Sequence, residues 1–177
     1  LMGTIHEFKD DYNIGLLGEN LIKDYYNSRY TSEGKEIYIV RPAEKWEQEQ
    51  GADFFVVNNK LGTKYFEVKT DTQSKDTGNV ALEIQIVYEG TKSIGCALKT
   101  FPDYLFYWIY PTTKVLYWNP KKLNPYIVDW LLDNPKIVET KNKNFFSRSM
   151  LVSVKNLKQT GVVYTLDVPL AIVEKNK

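Results

Sequence analysis

Residues 51–71, GADFFVVNNKLGTKYFEVKTD, contain two runs rich in Phe, Val and Tyr, and inside them stand three charged side chains, Asp53, Glu67 and Lys69. The runs flank Asn58-Asn59-Lys60-Leu61-Gly62, a pattern that predicts strands over 52–57 and 63–70 joined by a turn. Charge in the middle of an apolar strand costs free energy if it is buried without a partner. Side chains alternate between the faces of a strand, so Tyr65, Glu67 and Lys69 share one face, and Phe66 and Val68 share the other. With 58–62 as the loop, Val57 sits opposite Thr63 and Asp53 opposite Glu67, with Cβ atoms about 5 Å apart. A slip of one residue would turn one strand over and destroy the arrangement.

Two carboxylates that close repel each other and are expensive to ionise together. A divalent cation bound between them removes the conflict, and oxygen donors suit magnesium. Lys69 would then stand beside the metal, where an ammonium orients or activates a water or stabilises developing negative charge. That set of parts suits phosphodiester hydrolysis. The plainer alternative places the same residues on the wet face of a hairpin, with Lys69 pairing one of the acids.

Composition narrows the choice. The chain has 177 residues, 43% hydrophobic and 25% charged, which predicts one soluble domain with a substantial core. Its single cysteine, Cys96, excludes an intrachain disulfide and points to a reducing, cytoplasmic setting. One Cys and one His, His6, make zinc and Ser/His or Cys/His nucleophile systems poor fits, so a metal would be held by carboxylates. No apolar run reaches membrane-span length and no signal peptide is visible, so no membrane partner is expected. The net charge is +1, unevenly spread: residues 136–177 hold eight basic and three acidic side chains, a balance of +5 against −4 for the rest. Such a segment either meets a polyanion or forms a solvated lysine-rich face.

Along the chain, Ile14, Leu17, Leu21 and Tyr25 recur at helical spacing and predict a helix from 14 to about 30. Gly18 sits inside it, at a cost of about 1 kcal/mol against Ala, which a close backbone approach would explain. Further strands are expected at 36–40, 80–88, 104–110 and 114–118, with one or two helical turns or a loop at 42–50. The polar stretch 70–79 reads as a mobile loop, and 91–102 as holding a short helix. Pro120 opens a helix that ends at Asn134-Pro135, and strands follow near 145–155 and 161–168. The expected class is a mixed α/β domain on a central sheet.

The order helix, acid, hairpin, acid-x-lysine resembles the PD-(D/E)XK nuclease superfamily, the restriction-endonuclease-like fold. The resemblance covers about residues 14–110, with 111–177 as a C-terminal β/α extension of a single domain. It implies a core of helix, three-stranded antiparallel β-meander, helix and strand. In these terms Asp53 matches the first acid, and Glu67 and Lys69 match the acid-x-lysine. Glu19, in GLLGENLIKDYY, matches the glutamate many members carry on the first helix. The proline usual before the first acid is replaced by Ala52. The implied metal is Mg2+, with Mn2+ able to substitute, held by Asp53, Glu67 and the main-chain carbonyl of Val68. The implied activity is DNA hydrolysis, by an enzyme of a kind often found as a homodimer. A catalytically inactive nuclease-like fold that grips DNA or protein is the rival. Glu19 has a second reading as an ion pair with Lys23, four residues on. Glu83 is a candidate accessory acid and Lys99 a candidate phosphate contact or a solvated lysine. The four tryptophans, Trp46, Trp108, Trp118 and Trp130, read as core or edge residues before base-stacking platforms, and Trp46, beside the hairpin, is the best placed of them for stacking on a base.

Overall fold

The computed structural model describes residues 8–29, 38–58, 62–142 and 144–177. His6, the first part of the strand expected at 36–40, and the tip of the hairpin at 59–61 lie outside the described residues. The main sheet has six strands in the order β1 (Ile39–Pro42), β2 (Phe54–Asn58), β3 (Gly62–Asp71), β6 (Tyr104–Ile109), β7 (Lys114–Trp118) and β10 (Val163–Asp167). β1, β2 and β3 form an antiparallel meander, β6 runs parallel to β3, and β7 and β10 continue antiparallel. A second sheet, in the order β5 (Thr91–Ile94), β4 (Asn79–Tyr88), β9 (Phe145–Ser153) and β8 (Ile137–Lys141), is antiparallel throughout.

The main sheet is covered on both faces. On one face Leu21 and Ile22 of helix α1 (Phe8–Ser28) and Val173 of α6 (Leu170–Lys175) pack on Phe54, Phe66, Val68, Phe106 and Trp108. On the other, Val80 and Leu82 of β4 and Met150 and Val152 of β9 meet Leu105, Tyr107, Leu116 and Trp118. Leu123 and Ile127 of α4 (Pro120–Leu132) and Leu157 of α5 (Val154–Gln159) complete that layer. β6 is therefore buried on both sides, which explains its unbroken apolar sequence YLFYWI.

The mixed α/β class is as expected, and several details differ. The helix begins at Phe8 rather than 14, because its first turns carry no apolar period to reveal them. Residues 45–49 form the short helix α2 (Lys45–Glu49), and Ser74–Thr77 adds a single turn, α3, inside the stretch expected to be a loop. No long helix links β3 to the parallel strand β6. A parallel pair needs a crossover, and here it runs through α3, the β4/β5 hairpin and a 3-10 turn at Cys96–Leu98. The short helix expected over 91–102 is reduced to that turn, because Thr91–Ile94 pairs with β4 instead. Gly95 makes the close passage possible: a Cβ there would lie 2.3 Å from the Glu83 carbonyl oxygen. Residues 111–177 are no appendage either, since β7 and β10 extend the main sheet and β9 pairs along the whole of β4.

Candidate active site at the open edge of β3

The hairpin register is the expected one: Val57 pairs with Thr63 and Phe54 with Phe66. The strands extend one pair further than expected, to Asn58 and Gly62, so the connection is shorter. β2 begins at Phe54, so the second half of β3 has β6 on one side and no strand on the other. Asp53 stands at this break. Its N–H donates to the Phe66 carbonyl at 2.8 Å, and its Oδ2 accepts the Val68 N–H at 2.7 Å. The N–H and C=O of one strand residue point to the same side, so the Val68 carbonyl also faces the open edge.

Glu67 is buried, at 5% exposure, on the face of β3 opposite the Phe66–Val68 packing against α1. The wet-face reading of the hairpin therefore fails. The Lys69 ammonium lies 2.8 Å from Glu67 Oε1, with its side chain still 42% exposed. Burial pushes the Glu67 carboxyl up to about 7, an effect that Lys69 opposes and Asp53 reinforces. Burial likewise raises Asp53 to about 6, against the pull of Lys69 and the Val68 N–H and with a push from Glu19. Lys69 is held well above the usual lysine range, chiefly by Glu67. Protonated to this degree, Lys69 is suited to orienting a water or balancing negative charge rather than to removing a proton.

Helix α1 reaches this edge because of Gly18. A Cβ there would lie 1.9 Å from Thr70 Oγ1, so a larger residue would have to displace the Thr70 side chain or the helix. The next residue, Glu19, is carried to the cluster. It lies 3.6 Å from Lys23, and its carboxyl, raised by burial, also feels Glu67 and Lys69. Both readings of Glu19, ion pair and site neighbour, describe the same position.

Two further residues converge there whose place the sequence left open. β4 has a register irregularity between Glu83 and Gln85, and bulges often re-aim side chains next to active sites. Glu83 Oε1 accepts the Cys96 N–H at 3.3 Å, and its charge acts on Lys69. Gly51 has φ +96°, and a Cβ on it would lie 2.6 Å from Lys99 Cδ. Lys99 thus runs across the backbone just before Asp53 and lowers the proton affinity of Glu67. Cys96 is buried, and burial raises its thiol far above the ordinary range, so it is no nucleophile. The glycines at 51 and 95 were the visible signals of these close passages.

Around β3, then, stand four carboxylates (Glu19, Asp53, Glu67, Glu83) and three ammonium groups (Lys23, Lys69, Lys99). Among the described residues no group of three or more His, Cys, Asp or Glu side chains is close enough to hold a metal. The donor set a cation would use is two carboxylates and the Val68 carbonyl. Among the described residues no hydrogen bond engages Asp53 Oδ1 or Glu67 Oε2. Oxygen donors of this kind fit magnesium or manganese and do not fit zinc. A separate cavity of about 460 Å3, lined by Tyr25, Tyr26, Tyr104 and Tyr117, lies on the α1 face and contains none of these groups.

The basic C-terminal segment does not form one surface. Arg148 pairs with Glu139 in the second sheet, Lys175 with Asp24 of α1, and Lys177 with Glu174. α5, which carries Lys155 and Lys158, and α6, which carries Lys175, lie on opposite faces of the main sheet. No family model matches the chain, and neither curated proteins nor solved structures contain a match to it.

Proposed function

We propose that this chain is a metal-dependent nuclease that hydrolyses DNA phosphodiester bonds at the Asp53–Glu67–Lys69 cluster. The observation that carries the reading is the buried Glu67 with raised proton affinity, one oxygen on Lys69 and Asp53 beside it at an open strand edge. Such a carboxylate pair is poorly satisfied without a cation. The helix, the antiparallel meander and the parallel strand beside β3 support a restriction-endonuclease-like core. In this reading the 3-10 turn at Cys96–Leu98 takes the place of that core's second helix.

Asp53, Glu67 and the Val68 carbonyl would hold magnesium, with Glu19 completing the set directly or through water. A divalent cation there supplies Lewis acidity and neutralises charge on the phosphate. Lys69 positions the attacking water along the open edge. Asp53 keeps its orientation through the Val68 N–H, which pre-aligns the carboxylate. The rival reading, a nuclease-like fold that binds DNA without cutting it, draws on the Lys69–Glu67 ion pair and on the lack of a third close acid among the described residues.

Plasmid nicking in magnesium or manganese separates the two. The nuclease reading expects metal-dependent cutting that Glu67→Gln and Lys69→Ala each slow by about a hundredfold or more. Absence of cutting on supercoiled, linear, single-stranded and branched DNA, with binding retained, would establish the rival.

A further inference from the structure

A groove of about 730 Å3 opens beside the cluster, between α2 and the start of α4. Lys99, Phe101, Gln50 and Lys121 line it, with Glu49 as the lining carboxylate. Lys99 joins the groove to the cluster, since its stem crosses Gly51 and its charge reaches Glu67. The Phe101 ring sits between two others: Tyr65 of β3 at 4.8 Å and Trp46 of α2 at 5.8 Å, edge to face. Trp46 is 52% exposed, although its indole N–H is bonded to Glu44 and its ring is fixed against Phe101. Trp46 adjoins the groove through Phe101, which lines it and packs against the indole. Lys121 projects from the first turn of α4, where its N–H is bonded to the Asn119 cap and its side chain is exposed.

We infer that this groove is a binding site for an unpaired nucleic-acid strand, with Lys99 and Lys121 on successive phosphates and Trp46 as a stacking platform for a base. A fixed, half-exposed aromatic ring next to a groove that carries two lysines suits a single strand, because every base offers a π-face to an exposed ring. A blunt duplex keeps its bases stacked inside and has no unpaired base to lay on the indole. The inference rests on the hydrolytic reading of the Asp53–Glu67–Lys69 cluster and names its substrate: DNA with a single-stranded stretch, such as a flap, gap or fork, next to the cut.

The test is fluorescence anisotropy with a short labelled single strand and the same sequence as a blunt duplex, in EDTA so that no cutting occurs. Wild type is expected to prefer the single strand. Trp46→Ala should weaken single-strand binding by about tenfold and leave duplex binding nearly unchanged. Lys121→Glu, at an exposed position with no packing role, should weaken binding and lower the slope of log K against log salt by at least about 0.7. If both variants bind the single strand as wild type does, or if wild type prefers the duplex, the inference is overturned. Manganese-dependent cutting of a plasmid and of a flapped duplex, run alongside, keeps the two readings apart. Cutting that is indifferent to both variants and to the flap removes the groove's role alone. A wild-type protein that neither cuts nor binds removes the nuclease reading with it.

Discussion

Glu47 and Glu67 are both buried glutamates, at 1% and 5% exposure, and they are treated in opposite ways. Glu47, in α2, accepts from Arg41 Nη2 on both carboxylate oxygens, at 2.9 and 3.0 Å, and from the Glu44 N–H at 2.6 Å, closing a capping box. These donors overcome burial and hold its carboxyl below the usual range. Glu67 has one ammonium and a neighbouring acid, and its carboxyl is held above that range. Arg41 is itself seated on the Phe55 ring at 3.9 Å, so the α2 corner is locked. Burial by itself does not mark a functional carboxylate. What separates the two is the supply of donors: a satisfied acid secures a corner, and an under-satisfied one is open to a cation.

The largest effects should separate them by activity. Lys69→Ala is expected to slow plasmid cutting by about 10²–10³, the size typical of losing a fixed charge at a reacting centre. Glu47→Gln should leave the rate per folded molecule near wild type, measured by active-site titration against total protein. An equal loss of cutting in both variants would erase the distinction. Next in size is Gly18→Ala, which forces Thr70 or α1 to shift and should cost about 1–3 kcal/mol in denaturant unfolding, as overpacking usually does. It should also lower cutting, because Glu19 moves with the helix. Unchanged stability would show that α1 does not sit on β3 as described.

A subtler pair of outcomes concerns pH. The Glu67 carboxyl rises from 4.5 to about 7 on folding, so without metal its contribution to stability is fully present below 4.5 and is lost as pH climbs to about 7. Glu47 behaves oppositely: its contribution is present above 4.5 and is lost as pH falls below that value. Thermal melts in EDTA should therefore show Glu67→Gln more stable than wild type near pH 8, and Glu47→Gln less stable. Manganese should raise the melting temperature of wild type at pH 8 and leave Glu67→Gln unmoved. The smallest expected change is for Lys23→Ala: the partly exposed pair with Glu19, at 3.6 Å, should be worth at most about 0.5 kcal/mol in a melt.

Much of the β3 hairpin was readable because alternation along a strand is a property of the chain itself. Asp53, Glu67 and Lys69 fell where the period of two and the Asn/Gly turn placed them, and the mid-helix Gly18 signalled a close approach. Other features were illegible for physical reasons. β8 and the helices α5 and α6 are short and half exposed, so they lack a strong apolar period. The shift in register near Ile84 that turns Glu83 toward Cys96 depends on how β4 meets β9, which no local pattern encodes. Glu47 lay in a charged run, AEKWEQEQ, that reads as solvent-facing until Arg41 and Tyr65 close over it.

The sequence by itself determined the faces of the strands, the hairpin register and the placing of Asp53 opposite Glu67, because each follows from the spacing of neighbours along one segment. Only the tertiary structure decided which carboxylates are buried, which have enough donors, and where Lys99 and Trp46 stand relative to them. Burial and proton affinity depend on what packs across a residue from elsewhere in the chain, here α1, β4 and the turn at Cys96–Leu98.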